Sequence, residues 1–393
     1  MLDFLTDDMR RDPYPLYEQV RSSAPLFQEP QSGMWLLFDY AGVKRALTDP
    51  EAFSSQVTPP TGKAPEWLIF SDPPRHTKLR AILMKAFTPR SIANLEPRVR
   101  QLSRELLDPH LSRGELDLAV DYAGPLPSMV IAEMIGIPLA DRRRFLRWAE
   151  VIVNLSYAIA GGEAADQAMR ENAEVKEEMK AYLARVLEER RKAPKEDLLT
   201  RLVEAEVDGE RLTEDDLLGF FQLLLSAGTE TTTNAISNAI LCFIEHPDQL
   251  ARLRAEPHLL PSAIEEVLRY RSPTQFAFRE TTRDVELHGQ VIPKGSLVLP
   301  VIGSANRDPQ QFEDPGRFDI ARSPNPHIAF GHGIHFCLGA ALARMEARVA
   351  LSDLLERLEH FELASSEPWE PRKALLVLGP RRLPLRFKPA RTG

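Results

Sequence analysis

The stretch Ala329-Phe330-Gly331-His332-Gly333-Ile334-His335-Phe336-Cys337-Leu338-Gly339-Ala340 surrounds one cysteine with three glycines and two histidines. Helical periodicity begins at Leu338, so the cysteine stands at the start of a predicted helix. Glycines let a backbone turn tightly and bring its N–H groups close to a neighbouring atom. Because a helix N-terminus is electropositive, it favours a thiolate over a thiol. A sheltered, hydrogen-bonded thiolate is a good axial ligand for haem iron.

Other chemistries use the same residue types. His332, His335 and Cys337 are three possible zinc ligands, although no second cysteine lies nearby and no fourth ligand is obvious. A nucleophilic cysteine with a histidine base is another possibility, but the run holds no third residue to orient that base. A lone cysteine is most often an inert small hydrophobe. The residues of this run alone leave these alternatives open.

Composition limits the class of protein. The chain has 393 residues, is 43% hydrophobic and carries a net charge of −8, which argues against broad binding to nucleic acids or anionic membranes. Cys242 and Cys337 lie far apart, so no disulfide framework is implied and a reducing cytoplasm fits. The N-terminus lacks the basic segment of a signal peptide. The longest nearly continuous apolar run, 217–227, is far shorter than the roughly 20 residues of a membrane span. A cytoplasmic protein without a membrane anchor is expected.

Hydrophobic periodicity predicts a mainly α fold with small β regions. The predicted helices are Tyr14–Ser23, Ala41–Leu47, His76–Phe87, Pro89–Leu111, Pro127–Ile135, Ala140–Asn154, Asp166–Lys192, Thr213–Ile244, Leu259–Tyr270 and Leu338–Leu358. The predicted strands are Met34–Phe38, Thr282–Leu287, Gln290–Val291, Ser296–Val301 and Leu383–Lys388.

The longest predicted helix, Thr213–Ile244, would run roughly 45–50 Å. Its middle, Ala227-Gly228-Thr229-Glu230-Thr231-Thr232, is rich in residues that are poor in helix interiors. The Thr231 hydroxyl can donate to the carbonyl of Ala227 and loosen the helix there. An acid in apolar surroundings is costly unless something uses it, so this segment could admit water and protons to a buried centre. The alternative is a solvated flank on which Glu230 faces water.

The pattern Phe-Gly-x-Gly-x-His-x-Cys-x-Gly in 330–339 resembles the haem-binding loop of the cytochrome P-450 superfamily at every fixed position. The segment 227–232 resembles the oxygen-activating segment of the same superfamily. The resemblance spans Pro13 to Phe387 with the motifs in the family's order. It implies a single domain over 1–393, of the soluble bacterial type, with a long central helix and with haem b as cofactor. Cys337 would be the iron ligand, and the other residues of these motifs at the haem would be Phe330, Gly331, Gly339 and Ala227.

Further roles follow from the resemblance, residue by residue. Glu230 and Thr231 would manage the protons that oxygen activation consumes. Glu266 and Arg269 match the Glu-x-x-Arg pair, with Arg317 as its later partner, and these three would hold the cysteine loop in place. The residues matching contacts to the haem propionates are His76, Arg80, Arg279 and His335.

The implied activity is insertion of one oxygen atom from O2 into a lipophilic small molecule, by hydroxylation or epoxidation. No flavin or nicotinamide motif is visible, so electrons would come from a separate ferredoxin and its reductase, for which a basic face could serve as the docking surface. The candidate docking residues are Arg75, Lys78, Arg90, Arg344 and Arg348. The candidate substrate-pocket residues are Trp67, Ile69, Leu223, Leu224, Gln275, Phe276, Phe278 and Val377. A monomer is expected. The alternatives are a non-catalytic haem protein that binds a gas, and a zinc or cysteine hydrolase.

Overall fold

The computed structural model describes residues 6–30, 32–57, 67–154, 163–373 and 376–390. Helices carry most of this part of the chain and confirm the predicted mainly α class. They are α1 Asp7–Arg11, α2 Tyr14–Ser23, α3 Tyr40–Thr48, α4 Arg75–Ala86, α5 Pro89–Ala93, α6 Glu96–Leu111, α7 Pro125–Ile135, α8 Arg142–Asn154, α9 Glu163–Lys192, α10 Leu198–Glu204, α11 Glu214–Glu245, α12 Pro247–Ala255, α13 Leu260–Tyr270, α14 Ile302–Ala305 and α15 Ala340–Arg357.

The prediction of one helix over Pro89–Leu111 is wrong, because two helices occupy that range. Thr88 and Ser91 form a capping box at the start of α5, which ends at Ala93. Pro97 is the second residue of α6, where its missing N–H costs nothing. A proline cannot continue a helix that began earlier in the chain, so α5 and α6 are separate helices. The short helices α1, α10, α12 and α14 escaped the prediction, since seven or so residues show too little periodicity. Asp197 caps α10 by accepting from the N–H of Thr200.

The strands of the described ranges form four small sheets. They are β1 Leu26–Gln28, β2 Trp35–Leu37, β3 Phe53–Ser54, β4 Glu115–Asp117, β5 Glu206–Val207, β6 Glu210–Arg211, β7 Arg279–Thr281, β8 Val285–Leu287, β9 Gln290–Ile292, β10 Leu297–Pro300, β11 Leu358–Leu363 and β12 Pro384–Pro389. The largest sheet has the order β1-β2-β10-β7-β3, in which β10 runs parallel to β2. The single strand predicted over Thr282–Leu287 is only half right, because Thr282 and Arg283 form a bend before β8.

The chain divides into two compact units, each built from separate segments. Unit 1 is Met1–Val57, Ser103–Ala123 and Thr231–Gly393, and unit 2 is Thr58–Leu102 and Gly124–Glu230. The core of unit 1 lies on both faces of the largest sheet, with α3 against one face and α2 against the other. The guanidinium of Arg307 lies between the rings of Tyr14 and Tyr270, 3.6 and 3.7 Å from their centres, and so joins α2 to α13.

The described residues of unit 2 are helical or irregular apart from the small β5–β6 hairpin. Phe145 and Trp148 on α8 pack against Phe221 on α11, and Trp148 also packs against Tyr182 on α9. A Cβ at Gly228 would lie 2.6 Å from Cδ1 of Ile131, so the glycine lets α7 approach α11 closely. Of the helices within the described ranges, none has both the length and the hydropathy that a bilayer crossing requires.

Candidate functional site

The loop around Cys337 is closed by its own backbone. The N–H of Cys337 donates to the carbonyl of Phe330 at 2.9 Å. Gly331 and Gly333 adopt φ of 72° and 69°, a region that residues with a Cβ rarely enter. A Cβ at Gly333 would also lie 2.8 Å from the carbonyl oxygen of Leu47, so the loop packs directly on α3. The loop therefore places Cys337 three residues before the first residue of α15.

The two cysteines lie in different surroundings. Cys242 on α11 is 0% exposed, and burial raises the pKa of its thiol to about 12. Cys337 is only half-buried and lies beside the N-terminus of α15. A thiol with a raised pKa is inert, whereas a partly exposed thiol at a helix N-terminus can ionise and bind a metal. Cys337 is therefore the cysteine suited to hold a metal centre.

The two histidines of the loop have separate partners. Nε2 of His335 shares a hydrogen bond of 2.9 Å with the hydroxyl of Ser55. His332 is exposed, and its Nδ1 accepts from the N–H of Gly333 at 2.8 Å. Within the described ranges, no group of three His, Cys, Asp or Glu side chains is arranged to hold a metal ion. The positions of these side chains do not support the zinc alternative.

A buried ion pair lies in the same unit as the loop. The carboxylate of Glu266 accepts from Nε and Nη2 of Arg269, both at 2.8 Å, and both residues are fully buried. Nη1 of Arg269 donates to the carbonyls of Asn306 and Pro315, at 3.0 and 2.9 Å. The guanidinium therefore braces the backbone of the segment that precedes the cysteine loop. That the pair holds the loop itself in place stays a prediction.

The prediction that Arg317 is the third member of this cluster is wrong for its side chain, which does not join the ion pair. The side chain of Arg317 is 65% exposed and lies 4.0 Å from Asp319, while only its carbonyl accepts from Arg269, at 3.0 Å. Arg322 instead reaches Glu266, with 3.2 Å between Nε and Oε1. A buried carboxylate such as that of Glu266 needs several hydrogen-bond donors. Five residues after Arg317, the backbone turns back towards α13 and brings Arg322 to this carboxylate. Arg322 is therefore the later partner of the pair.

The middle of α11 carries the predicted acid and alcohol. The helix is continuous from Glu214 to Glu245, so the predicted loosening does not appear as a break. Glu230 is buried, whereas Ala227 is exposed and Thr231 is half-buried. Residues four apart share a helix face, so Ala227 and Thr231 mark a partly exposed stripe, here called the uncovered stripe, although Ser226, Gly228 and Thr229 beside it are half-buried too.

The second half of α11 is fastened to the segment around Val377. Nδ2 of Asn238 donates to the carbonyls of Arg271 and Leu378, at 3.1 and 3.0 Å. Oδ1 of Asn234 accepts from Nε of Arg372 at 3.0 Å. Sequence reasoning missed both residues, although two asparagines four apart in an apolar helix were a usable signal. Thr231 and Val377 thus belong to one braced part of unit 1.

The predicted propionate contacts fall in both units. His76 is buried and Arg80 is half-buried, one turn apart on α4 in unit 2. Arg279 begins β7 in unit 1, is buried, and donates from Nη1 to the carbonyl of Phe278 at 2.7 Å. Side chains of this kind complement carboxylates. Their contact with propionates stays a prediction.

The predicted pocket residues of unit 2 centre on a short 3₁₀ helix, Leu68–Phe70. The ring of Trp67 stacks on Phe70, and its Nε1 donates to Oε1 of Gln222 on α11 at 3.3 Å. Ile69 is 42% exposed. On α11, Leu223 is buried and Leu224 is half-buried.

Two of the predicted pocket residues of unit 1 face elsewhere. Nε2 of Gln275 donates to the carbonyl of Ser272 at 2.6 Å, and the amide packs so closely on Gly303 that a Cβ there would lie 2.2 Å from Oε1. Phe276 packs against Tyr17 on α2. The prediction that Gln275 and Phe276 line a pocket is wrong, because the amide is used internally and the ring fills the core. Phe278 is half-buried, and Val377 pairs with Thr274.

The residues present fit a haem group. The donor is a partly exposed thiol, and a Cβ at Gly339 would contact only Sγ of Cys337, at 4.0 Å, so bare backbone adjoins the sulfur. Apolar side chains and basic side chains of the types that haem needs are found in each unit. A thiolate so placed can ligate iron.

Comparison with known proteins agrees with this fit. A family model described as Cytochrome P450 matches residues 162–387. A putative cytochrome P450, YjiB, of Bacillus subtilis (strain 168) is 44% identical over 359 residues, covering 91% of this chain and 90% of the relative. Cytochrome P450 monooxygenase PikC of Streptomyces venezuelae is 40% identical, covering 99% and 94%. The crystal structure of CYP109E1 from Bacillus megaterium in complex with corticosterone matches with a TM-score of 0.89 at 39% identity, covering 97% of this chain and 100% of that one.

Proposed function

The chain belongs to the cytochrome P450 family, and we propose that Cys337 supplies the thiolate that holds its haem b. It is a haem-thiolate monooxygenase, which inserts one oxygen atom from O2 into a lipophilic small molecule by hydroxylation or epoxidation. Its electrons come from a separate redox partner. Membership in this family sets aside the gas-binding protein and the zinc or cysteine hydrolase.

The observation that carries the assignment to Cys337 is the closed loop. The hydrogen bond from Cys337 to Phe330 and the two left-handed glycines hold the sulfur beside the N-terminus of α15. That position favours the ionised sulfur. Bound haem supplies the reductive activation of dioxygen, and the protein orients the substrate and controls water and protons.

We propose that Glu230 and Thr231 deliver protons. Thr231 lies on the uncovered stripe of α11, where its hydroxyl can hold a water molecule by hydrogen bonding. Glu230, its buried neighbour, can pass a proton to that water. A positioned donor of ordinary acidity suffices for this work. His76, Arg80, Arg279 and His335 would hold the propionates.

For the substrate, we propose a steroid or a lipophilic molecule of similar size. The remaining predicted pocket residues are mostly apolar, and they are Trp67, Ile69, Leu223, Leu224, Phe278 and Val377. The similarity to CYP109E1, whose structure contains corticosterone, supports this class. Apolar lining with few polar groups is typical of sites for such ligands. Titration with corticosterone should shift the haem from low spin to high spin, and no shift with any steroid would contradict the proposal.

The electron donor, we propose, is a ferredoxin. Three of the candidate docking residues, Arg75, Lys78 and Arg90, lie on α4 and α5 of unit 2, where Arg75 pairs with Asp216 and Lys78 with Glu210. Steering by such charges weakens with salt. Reduction by a ferredoxin should therefore slow between 50 and 300 mM salt, roughly as expected for a Debye length that falls below 10 Å. A rate independent of salt would contradict docking by charge.

We also propose a cytoplasmic monomer in which 1–393 form one domain. The two units interleave along the chain, which passes from one to the other four times. Because each unit is built from segments that are separated in the sequence, neither unit can fold independently as a continuous stretch of chain. This supports one cooperative domain. A single unfolding transition and a single species of about 44 kDa in light scattering would agree.

The test of the iron ligand is the absorbance spectrum of the reduced protein with carbon monoxide bound. The wild type should show the strongly red-shifted Soret band of a thiolate ligand, and Cys337→Ala should lose it. Cys242→Ala is the matched control, because it removes the other, buried sulfur. A Soret band unchanged in Cys337→Ala would overturn the assignment.

A further inference from the structure

Arg344 on α15 is fixed by two neighbours of different kinds. Its Nε and Nη2 donate to the two carboxylate oxygens of Glu265, both at 2.7 Å. Its guanidinium carbon lies 4.3 Å from the centre of the Phe330 ring. A guanidinium held by two parallel hydrogen bonds and by an aromatic face has little freedom to move. Arg344 follows Cys337 by seven residues, about two helical turns.

The carboxylate that holds Arg344 is stabilised in its charged form by its neighbours. Burial alone would raise the pKa of Glu265, but hydrogen bonds from Arg344 and His327 lower it to about 2. Nε2 of His327 lies 3.0 Å from Oε2 of Glu265. Nδ1 of the same ring accepts from the N–H of Ala329 at 3.2 Å. Glu265 thus fixes both Arg344 and the backbone that leads into Phe330.

Phe330 connects this cluster to the sulfur. Its carbonyl accepts from the N–H of Cys337, and its ring lies under the guanidinium of Arg344. The pKa of Arg344 is raised, first by its hydrogen bond to Glu265 and also by the negative charge that Cys337 can carry. Phe330 is thus a shared neighbour, which contacts the guanidinium of Arg344 with its ring and the N–H of Cys337 with its carbonyl. Groups of this kind around a metal ligand tune the metal that it binds.

We propose that Arg344 is a positioning residue that tunes the thiolate of Cys337, by fixing Phe330 and by holding a positive charge near the sulfur. The inference rests on the proposed role of Cys337. A cation near the ligand favours the reduced iron, which carries one positive charge less, and so raises the reduction potential. The cation also weakens donation from the sulfur. This role differs from docking, because a docking cation changes the rate of electron transfer and leaves the potential of the isolated protein unchanged.

The test compares three variants of the haem-loaded protein by spectroelectrochemical titration. Arg344→Gln removes the charge and should favour the oxidised form about tenfold, which is about 59 mV for one electron. Arg344→Lys keeps a charge but loses the paired hydrogen bonds and the stacked plane, and should shift the equilibrium about threefold in the same direction. Arg357→Gln is the matched control. Arg357 lies on the same helix as Arg344, roughly 20 Å further along, and pairs with Asp108 on α6. Its loss should leave the potential unchanged.

The outcomes separate this proposal from the assignment of Cys337. If the wild type lacks the red-shifted Soret band, the assignment of the iron ligand fails. If the band is present and Arg344→Gln has the potential of Arg357→Gln, the tuning role is wrong. If Arg344→Gln does not bind haem, Arg344→Lys decides, because an unchanged potential in that variant excludes positioning through Phe330. A slower reduction by ferredoxin at an unchanged potential would assign Arg344 to docking instead.

Discussion

Nε of Arg322 lies 3.2 Å from Oε1 of Glu266, while the side chain of Arg317 extends into solvent. Arg322 also donates from Nη1 and Nη2 to the carbonyls of Glu313 and Asp314, at 2.7 and 3.2 Å. One guanidinium therefore joins α13 to the segment that leads to the cysteine loop. Glu266 is fully buried and accepts from Arg269 as well.

Arg322→Gln should destabilise the protein by about 2–3 kcal/mol, because a buried carboxylate loses a charged donor and two carbonyls lose theirs. Haem should dissociate faster, since the segment before Cys337 loses a brace. Thermal unfolding and transfer of haem to a scavenging apoprotein measure the two effects. Arg317→Gln is the matched control and should stay within about 0.5 kcal/mol of the wild type. Equal losses in both variants would show that Arg322 has no special part.

Thr231→Ala should separate oxygen consumption from product formation. Without the hydroxyl, the water that delivers protons is no longer held in place. We therefore expect the yield of product per electron to fall, by up to about 10²-fold. Simultaneous assay of reductant consumed, product and hydrogen peroxide measures this. Thr231→Ser keeps a hydroxyl and should restore most of the yield. An unchanged yield in Thr231→Ala would remove Thr231 from proton delivery.

The hydrogen bond between Trp67 and Gln222 should contribute to substrate affinity, because it holds the 3₁₀ helix Leu68–Phe70 to α11. Trp67→Phe and Gln222→Leu should each weaken binding of corticosterone. The double variant should be little worse than either one, with a coupling energy of about 1 kcal/mol, or fivefold in Kd. Spin-shift titrations of the four proteins give this value. Additive losses would show that the two side chains act separately.

The stability of the protein should depend on the protonation of Glu346 on α15. Burial raises the pKa of Glu346 to about 8, so the folded protein keeps a proton that the unfolded chain releases near pH 4.5. The stability that this proton contributes is complete below pH 4.5 and is lost as the pH rises to about 8. The free energy of unfolding of Glu346→Gln should therefore rise relative to that of the wild type between pH 4.5 and about 8, by at most about 5 kcal/mol.

Denaturant unfolding at several pH values measures the difference between Glu346→Gln and the wild type. Glu356→Gln, which removes an exposed carboxylate from the same helix, is the control. A constant difference across the pH range in Glu346→Gln would mean that the carboxyl titrates alike in the folded and unfolded states.

Arg80→Ala should lower haem retention and leave the helical content nearly unchanged. Its guanidinium is half-buried on α4, one turn after the buried His76, where it can pair with a propionate. The ratio of Soret to protein absorbance after purification measures retention, and far-ultraviolet circular dichroism measures the fold. Lys85→Ala, an exposed change on the same helix, should retain haem fully. Full retention in Arg80→Ala would refute the propionate role.

The sequence predicted what local chemistry determines. The glycines around Cys337, the caps and the apolar periodicity gave the cysteine loop, both bounds of α2 and nearly those of α11. It did not distinguish Arg322 from Arg317, since both follow α13 in one irregular segment and only the turn of the backbone decides which reaches Glu266. It also placed Gln275 in a pocket, because an amide in an apolar run gives no sign of the carbonyl of Ser272 that it serves.

The hydrogen bond from Asn238 to the carbonyl of Leu378 has a consequence for how this enzyme can acquire new substrates. Because Asn238 binds the backbone carbonyl of Leu378 and not a side chain, the neighbouring Val377 can be substituted without displacing the segment. With Val377 in the proposed pocket, single substitutions there would change selectivity, while insertions or deletions would break the hydrogen bond from Asn238 to Leu378.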